Sequence, residues 1–237
     1  MWYSLVYRIA CVMCASCVCV CVCVCVWILL TLFYCKSELK KLKFILHLFI
    51  LIRVIQSIGH FVMNLFILSL LQQEIAESMM DKHVSKILLE AVQMLCTAKR
   101  ILDPEASENE QLYKLAHKNH PVTIWCRTSR ANFVWTLDLV DALHSEWRFR
   151  YGHPDTKVHK SYMVAQILRG AIPDASAFLS PHCERITPFA LAMPDEYKSP
   201  DGDAVASYRA YYMSPEKQKI ATWSKARSQP EWYTRIK

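Results

Sequence analysis

DKHVSKILLEAVQML, residues 81–95, is the stretch on which the fold turns. Together with Met80, its apolar residues Val84, Ile87, Leu88, Ala91 and Leu95 recur at intervals of three and four. That is the period of a helix burying one face. The spacing predicts helix over 72–96, with Asp81 as a cap or as an acid in the first turn. On the other side His83, Lys86 and Glu90 are spaced three and four and form one stripe. A carboxylate inside Leu88-Leu89-Glu90-Ala91-Val92 is either one partner of a solvated Lys86–Glu90 pair or is half-buried with a raised pKa. Periodicity alone favours the solvated pair.

Upstream, the short apolar run MNLFILS (63–69) fits a buried strand or a helix start. Downstream, DPEASENEQ (103–111) is a polar, acidic loop. His117, Lys118, Asn119 and His120 then crowd four polar side chains before Pro121, which suits a turn or a first helical turn. Such a cluster serves phosphate or base contacts, or is an ordinary polar loop before a helix. Residues 128–150 carry a helical apolar face of Phe133, Trp135 or Leu137, Val140, Leu143 and Trp147, flanked by Arg127, Arg130, Arg148 and Arg150. A short helix follows over 160–169. Prolines 173, 181, 188, 194 and 200 punctuate a connection over 171–202. A link this long is uncommon unless it wraps a site or carries local structure. Helices are expected over 204–213 and, from Pro215, to 223. Here Tyr208, Arg209, Tyr211, Tyr212, Trp223, Lys225, Arg227, Trp232, Tyr233 and Arg235 interleave aromatic and basic side chains. That composition suits stacking on bases and pairing with phosphates. It equally suits core aromatics beside a solvated basic tail.

The fold class expected is mainly α: a compact helical domain, 63–237, preceded by a hydrophobic N-terminal helix. Charge and cysteine divide at the same place. Residues 1–62 hold six of the 28 Lys/Arg and only one of the 21 Asp/Glu, so the net +7 belongs largely to them. They also hold eight of the eleven cysteines, leaving Cys96, Cys126 and Cys183 in the body without a CxxC pair. No histidine pairs with cysteine at ligand spacing, so neither a metal nor a cofactor is expected. Four glycines exclude a Gly-rich phosphate loop. From position 9 to 35 the chain has 27 uncharged residues, enough to span the roughly 30 Å hydrocarbon layer. Lys36, Lys40, Lys41 and Lys43 follow, which would leave the body on the cytosolic side. Residues 44–62, interrupted by His47, Arg53 and His60, make a poorer span. Strict Cys-Val alternation over 17–26 is low complexity, so residues 1–62 are read either as a membrane anchor or as an extension before a true start at Met63.

The runs MNLFIL (63–68), DKHVSKILLEAVQML (81–95), HKNHPVTIW (117–125), ALHSEWRFRYG (142–152), TPFALAMPDEYK (187–198) and SYRAYYMSPEKQKIATW (207–223) resemble a family of phage and large-virus proteins. Members of that family start near the position of Met63. More distantly, the chain resembles the pyrimidine-dimer DNA glycosylases, including the T4-type endonuclease V. The shared elements are Asp81, His83 and Glu90 on one helix, Asn119, His120, Pro121 and Trp125, and the terminal Pro230, Trp232 and Tyr233. The resemblance implies a compact all-α fold that flips a nucleotide out of duplex DNA. It also implies an amine that attacks the sugar C1′ to form a Schiff base, with Glu90 handling proton and charge. In the T4-type enzyme the amine is that of an N-terminal threonine. Here the matching Asn64 lies in mid-chain, and Leu89 and Ala91 stand where arginines would flank the glutamate. A lysine can replace the amine, with Lys86 the candidate and Lys82 and Lys118 less well placed.

The expected activity is therefore a DNA N-glycosylase or AP lyase acting on a damaged or modified base, with Glu90, Lys86 and His83 as catalytic candidates. His117, Lys118, Asn119, His120, Arg127, Arg130, Trp223, Trp232 and Tyr233 are the candidates for contacting nucleic acid. The partner implied is double-stranded DNA, with a membrane joined through residues 9–35 if translation starts at Met1. Otherwise the domain is expected free in the host cytoplasm or nucleus. Three rivals remain: a catalytically inactive nucleic-acid-binding module, a nucleotide-processing enzyme of viral DNA metabolism, and a membrane-anchored protein whose body is unrelated to either. No pattern specifies an oligomeric state.

Overall fold

The structure, a computed structural model, describes residues 63–235, and every regular element among them is helical. In chain order these are α1 (Gln72–Ser78), α2 (Asp81–Leu102), α3 (Pro121–Cys126), α4 (Arg130–Tyr151), α5 (Lys160–Gly170), α6 (Ala204–Tyr212) and α7 (Pro215–Gln218). Short 3₁₀ turns lie at Pro104–Glu108, Ala175–Ala177 and Asp195–Tyr197. The described residues belong to the second of two units into which the chain divides, Val62–Lys237. The apolar helix expected over 9–35 and the stretch 44–62 lie outside the described residues. Among those described, no helix is long and apolar enough to cross a membrane.

The stripe that predicts a helix at 81–95 is the axis of the domain. Helix α2 packs against α3, α4 and α5, and Val84, Ile87, Leu88, Ala91 and Leu95 have no exposed surface. Each large aliphatic side chain so buried stabilises the fold by roughly 1.5–3 kcal/mol. Helix α4 lies along α2, opened by Ser129, whose Oγ accepts from Asn132 N. It is closed by Gly152 at φ 61, a left-handed position that glycine adopts without steric penalty.

Three expectations need correction. Helix over 72–96 is broken at Met79 and Met80, whose extended backbone lets both side chains enter the core, and α2 then runs on to Leu102. Residues 63–68 form neither strand nor helix: they are buried, with backbone groups bonded to side chains. The helix expected over 215–223 stops at Gln218. Beyond it the chain turns back, so that Thr222 O accepts from Asp81 N at 2.8 Å and Trp223 Nε1 donates to Ser78 O at 3.1 Å. Tertiary docking has overridden local propensity there.

The proline-rich connection wraps the core as expected of so long a link. Buried Asn132 donates to Trp125 O (2.8 Å) and Thr187 Oγ1 (2.7 Å) and accepts from Thr187 N (3.0 Å). Tyr208 Oη donates to Ala190 O at 2.7 Å, and Asn64 Nδ2 donates to Ala192 O at 2.7 Å. Residues 187–193 are thereby strapped over Trp125 and Trp135, with Phe189 between them.

The α1–α2 joint is held by Arg150, whose side chain has no exposed surface. It donates to Glu146 Oε1 (2.8 Å), Asp81 Oδ1 (3.4 Å), Glu77 O (3.0 Å), Ala76 O (3.3 Å) and Met79 O. Arg227 adds a second cation, 2.8 Å from Glu146 and 3.1 Å from Glu77. Removing one member of a buried pair strands its partner, so Arg150→Ala should destabilise the domain by about 3–5 kcal/mol in denaturant unfolding. Arg169→Ala, which breaks a half-exposed pairing with Asp138 and Asp141, should cost no more than about 1 kcal/mol.

Candidate functional site

Glu90 lies on α2 with its carboxylate turned toward the irregular segment 63–68. Its side chain is 10% exposed, against 41% for Lys86. Both oxygens are engaged: Oε2 accepts the backbone N–H of Asn64 at 3.2 Å, and Oε1 lies 3.4 Å from Lys86 Nζ. The pair expected to be solvated therefore has one buried member. Asn64 is itself fully buried, and its Oδ1 accepts from Leu65 N (2.9 Å) and Phe66 N (3.4 Å). These bonds fold the chain tightly enough to place Phe66 at φ 48, a left-handed conformation that a bulky residue rarely adopts. Such strain persists only where the surroundings enforce it.

Phe66 is the floor of an aromatic wall. Its ring stacks on His83 (4.9 Å) and Tyr211 (6.0 Å) and meets Tyr208 and Tyr212 edge-on. Lys217, from α7, places its ammonium 4.9 Å from the Phe66 centroid and 5.2 Å from that of Tyr211. Burial, and then the neighbouring Lys86 charge, pull the Lys217 pKa below the ordinary lysine value, against the opposing pull of Glu90 and Glu216. The site thus joins Glu90, Lys86 and Lys217 around one strained loop. Lys217 escaped the sequence reading because it lies 127 positions from Glu90 in a short polar helix with no periodic signal.

His83 takes a different part from the one expected. It is 1% exposed. Tyr212 Oη accepts from Met80 N (2.9 Å), leaving its own proton for His83 Nδ1 at 2.9 Å, which assigns a neutral Nε2–H imidazole. Burial, then Lys217 and Lys86, push its pKa down to about 3. His83 is a neutral support for the Phe66 ring, not a proton shuttle at neutral pH.

The other expected contacts separate into two groups. His117, Lys118 and Asn119 are exposed, and His117 sits at φ 50 in a tight turn. His120 caps α3, its Nδ1 accepting from Val122 N at 3.3 Å. Arg127 closes this loop by donating to Lys118 O at 2.6 Å, and Arg130 is exposed at the start of α4. The turn is tied to α2 at Thr97, which exchanges hydrogen bonds with Ala116. Thr97 is seven residues from Glu90, so the two share a stripe and stand about 10 Å apart along the helix. The aromatic candidates are core anchors: Tyr233 is 2% exposed, Trp223 is bonded to Ser78 and packs on Tyr233 at 4.6 Å, and Trp232 carries the Arg209 guanidinium at 4.9 Å. Tyr233 offers no face for stacking on a base.

Other chemistries find little support. Burial pushes the Cys96 thiol up to about 11 and that of Cys126 to about 12, so neither is a thiolate at neutral pH. Ser85 Oγ lies 3.0 Å from His159 Nε2, but His159 Nδ1 accepts from Ser161 N. In the neutral ring Nε2 then carries the proton and donates to the serine, the reverse of what a base requires. Among the described residues no three His, Cys, Asp or Glu side chains converge as a metal site would need. An apolar recess lined by Leu65, Val122, Trp125, Phe189 and Tyr208 is packed too tightly to admit water. No family model, curated protein or solved structure matches the chain.

Burial also depresses His144, to about 4, aided by Arg148 and His159, and it lowers His159. These histidines are neutral when folded but take up protons near pH 6.5 when unfolded. Their contribution to stability is complete above that pH and is lost as pH falls. Unfolding free energy should therefore drop between pH 6.5 and 5, before most carboxylates titrate, with a slope of up to about 1.4 kcal/mol per pH unit for each histidine. A flat profile over that interval in chemical denaturation would contradict the buried, neutral assignment.

Proposed function

We propose that the domain binds double-stranded DNA and acts on a damaged or modified base by nucleotide flipping, as a glycosylase-type enzyme with Schiff-base, or lyase, chemistry. Support comes chiefly from one observation: the Glu90 carboxylate is withdrawn from solvent, fixed by the Asn64 N–H, and paired with Lys86. An amine beside a carboxylate is what sugar chemistry at C1′ requires. The amine attacks C1′, the bond to the base breaks, and the base leaves with the electron pair and gains a proton. The carboxylate stabilises the cationic carbon and then accepts the proton whose loss drives strand cleavage.

The turn of His117, Lys118 and Arg127 supports the same reading from the other side. About 10 Å along α2 from Glu90 corresponds to about three phosphate steps of one strand. Cations there would hold the backbone while the reacting nucleotide enters the Glu90 site.

A second reading, a DNA-binding module without catalysis, is favoured by one feature. The Asn64 nitrogen that contacts Glu90 is a peptide nitrogen wherever Met63 precedes it, and an amide is no nucleophile. The two readings part in one experiment on the full-length chain with UV-irradiated duplex and borohydride. The enzyme should yield a covalent protein–DNA adduct and cut strands in the absence of reductant. Glu90→Gln should lower cleavage by roughly 10²–10⁴-fold while leaving salt-dependent binding in place. Intact strands and no adduct, with binding retained, would leave only the module; no binding at all would remove both.

A further inference from the structure

We propose that Lys217 is the reactive amine of this site, a lysine that condenses with an aldehyde carbon to form an imine. Two nitrogens contact the Glu90 carboxylate, Asn64 N and Lys86 Nζ, and a third, Lys217 Nζ, lies over Phe66 of the same loop as Asn64. That of Asn64 is an amide. Lys86 is 41% exposed and paired with Glu90 Oε1 at 3.4 Å. Lys217 differs from both. It is half-buried, and it makes no ion pair among the described residues. The Phe66 and Tyr211 faces hold the Lys217 nitrogen in place, while burial and the Lys86 charge pull its pKa below the ordinary lysine value. Each unit by which a lysine pKa falls raises its neutral, nucleophilic fraction about tenfold at a lower pH.

The surrounding structure holds this amine in place. Ser214 Oγ accepts from Lys217 N at 3.4 Å, Pro215 opens α7, and Gln218 Nε2 donates to Met213 O at 2.7 Å. The short helix cannot rotate Lys217 away without breaking these bonds. Beneath the amine lies Phe66, kept in its left-handed conformation by the same Asn64 whose N–H meets Glu90. One loop thus positions both the carboxylate and the aromatic floor of the amine.

The step balances as follows. Neutral Lys217 Nζ adds to the aldehyde carbon, and the carbonyl π pair moves to oxygen. A proton passes from nitrogen to that oxygen through water. With one further proton from solvent the oxygen leaves as water, giving an iminium whose charge Glu90 offsets. The substrate class is an aldehyde, and the ring-opened sugar of an abasic site in DNA is the member that rests on the function proposed above.

Two experiments on the full-length chain separate the inference from that function. In the first, limiting glycolaldehyde with cyanoborohydride at neutral pH is followed by peptide mass mapping. Lys217 should be alkylated ahead of the exposed Lys82, Lys219 and Lys225. Labelling that follows exposure alone would overturn the inference. In the second, duplex containing an abasic site is treated with borohydride. The adduct should map to Lys217, be lost in Lys217→Arg, and persist in Lys219→Arg. An adduct at another residue would overturn the role of Lys217 while sparing the DNA function. Selective glycolaldehyde labelling without a DNA adduct would uphold the amine and remove the DNA substrate. Mapping on the unsubstituted protein does not depend on whether Lys217→Arg folds.

Discussion

A guanidinium sealed from solvent is the constraint on which this domain rests. A helix end leaves carbonyls without partners, and a buried cation without acceptors is costly. Arg150 resolves both at the α1–α2 joint by donating to carbonyls of Ala76, Glu77 and Met79 while facing Glu146 and Asp81. The helical rod that would otherwise run from 72 to 102 is thereby interrupted at Met79 and Met80. That interruption turns both methionines into the core and frees Met80 N to reach Tyr212. Tyr212 in turn orients His83, and His83 supports Phe66. The register of the Glu90 stripe against the C-terminal aromatics follows from a charge more than a helical turn away from it.

Around Glu90 the same economy recurs with a single amide side chain. Asn64 uses its N–H on the carboxylate, its Nδ2 on the proline-rich strap and its Oδ1 on the next two backbone nitrogens. No apolar residue could satisfy those partners, and aspartate would set a second negative charge beside Glu90. The backbone strain at Phe66 is offset by stacking and cation–π contacts that each contribute about 0.5–1.5 kcal/mol. Carboxylate, amine and aromatic floor therefore move together or not at all.

Residue spacing made the helices around the core legible. The three-and-four pattern of Val84, Ile87, Leu88, Ala91 and Leu95 is α2, and the Lys86–Glu90 juxtaposition follows from it. Turn chemistry was legible as well: Pro121 suits a turn or a first helical turn, and it opens α3. What spacing could not show was burial imposed by distant chain. Glu90 reads as solvated because nothing in its helix reveals that residues 63–68 will cover it. Lys217 carries no signal in its spacing for the same reason. The aromatic and basic tail looks like a nucleic-acid surface by composition, yet Trp223 and Tyr233 face inward because Ser78 and Thr222 pair the tail with the start of α2. Residue types report what a side chain can do, while its partners decide which of those things it does.

The first turn of α2 is completed from the far end of the chain. Asp81 N donates to Thr222 O, and Asp81 Oδ2 accepts from both the N–H and the Oγ of Ser224. No nearer residue caps that helix. During synthesis, then, the axial helix emerges long before the residues that seal it, and loop-closure entropy must be overcome across nearly the whole domain. Until Thr222 and Ser224 have been made, Asp81 N and Oδ2 at the start of the central helix lack these partners.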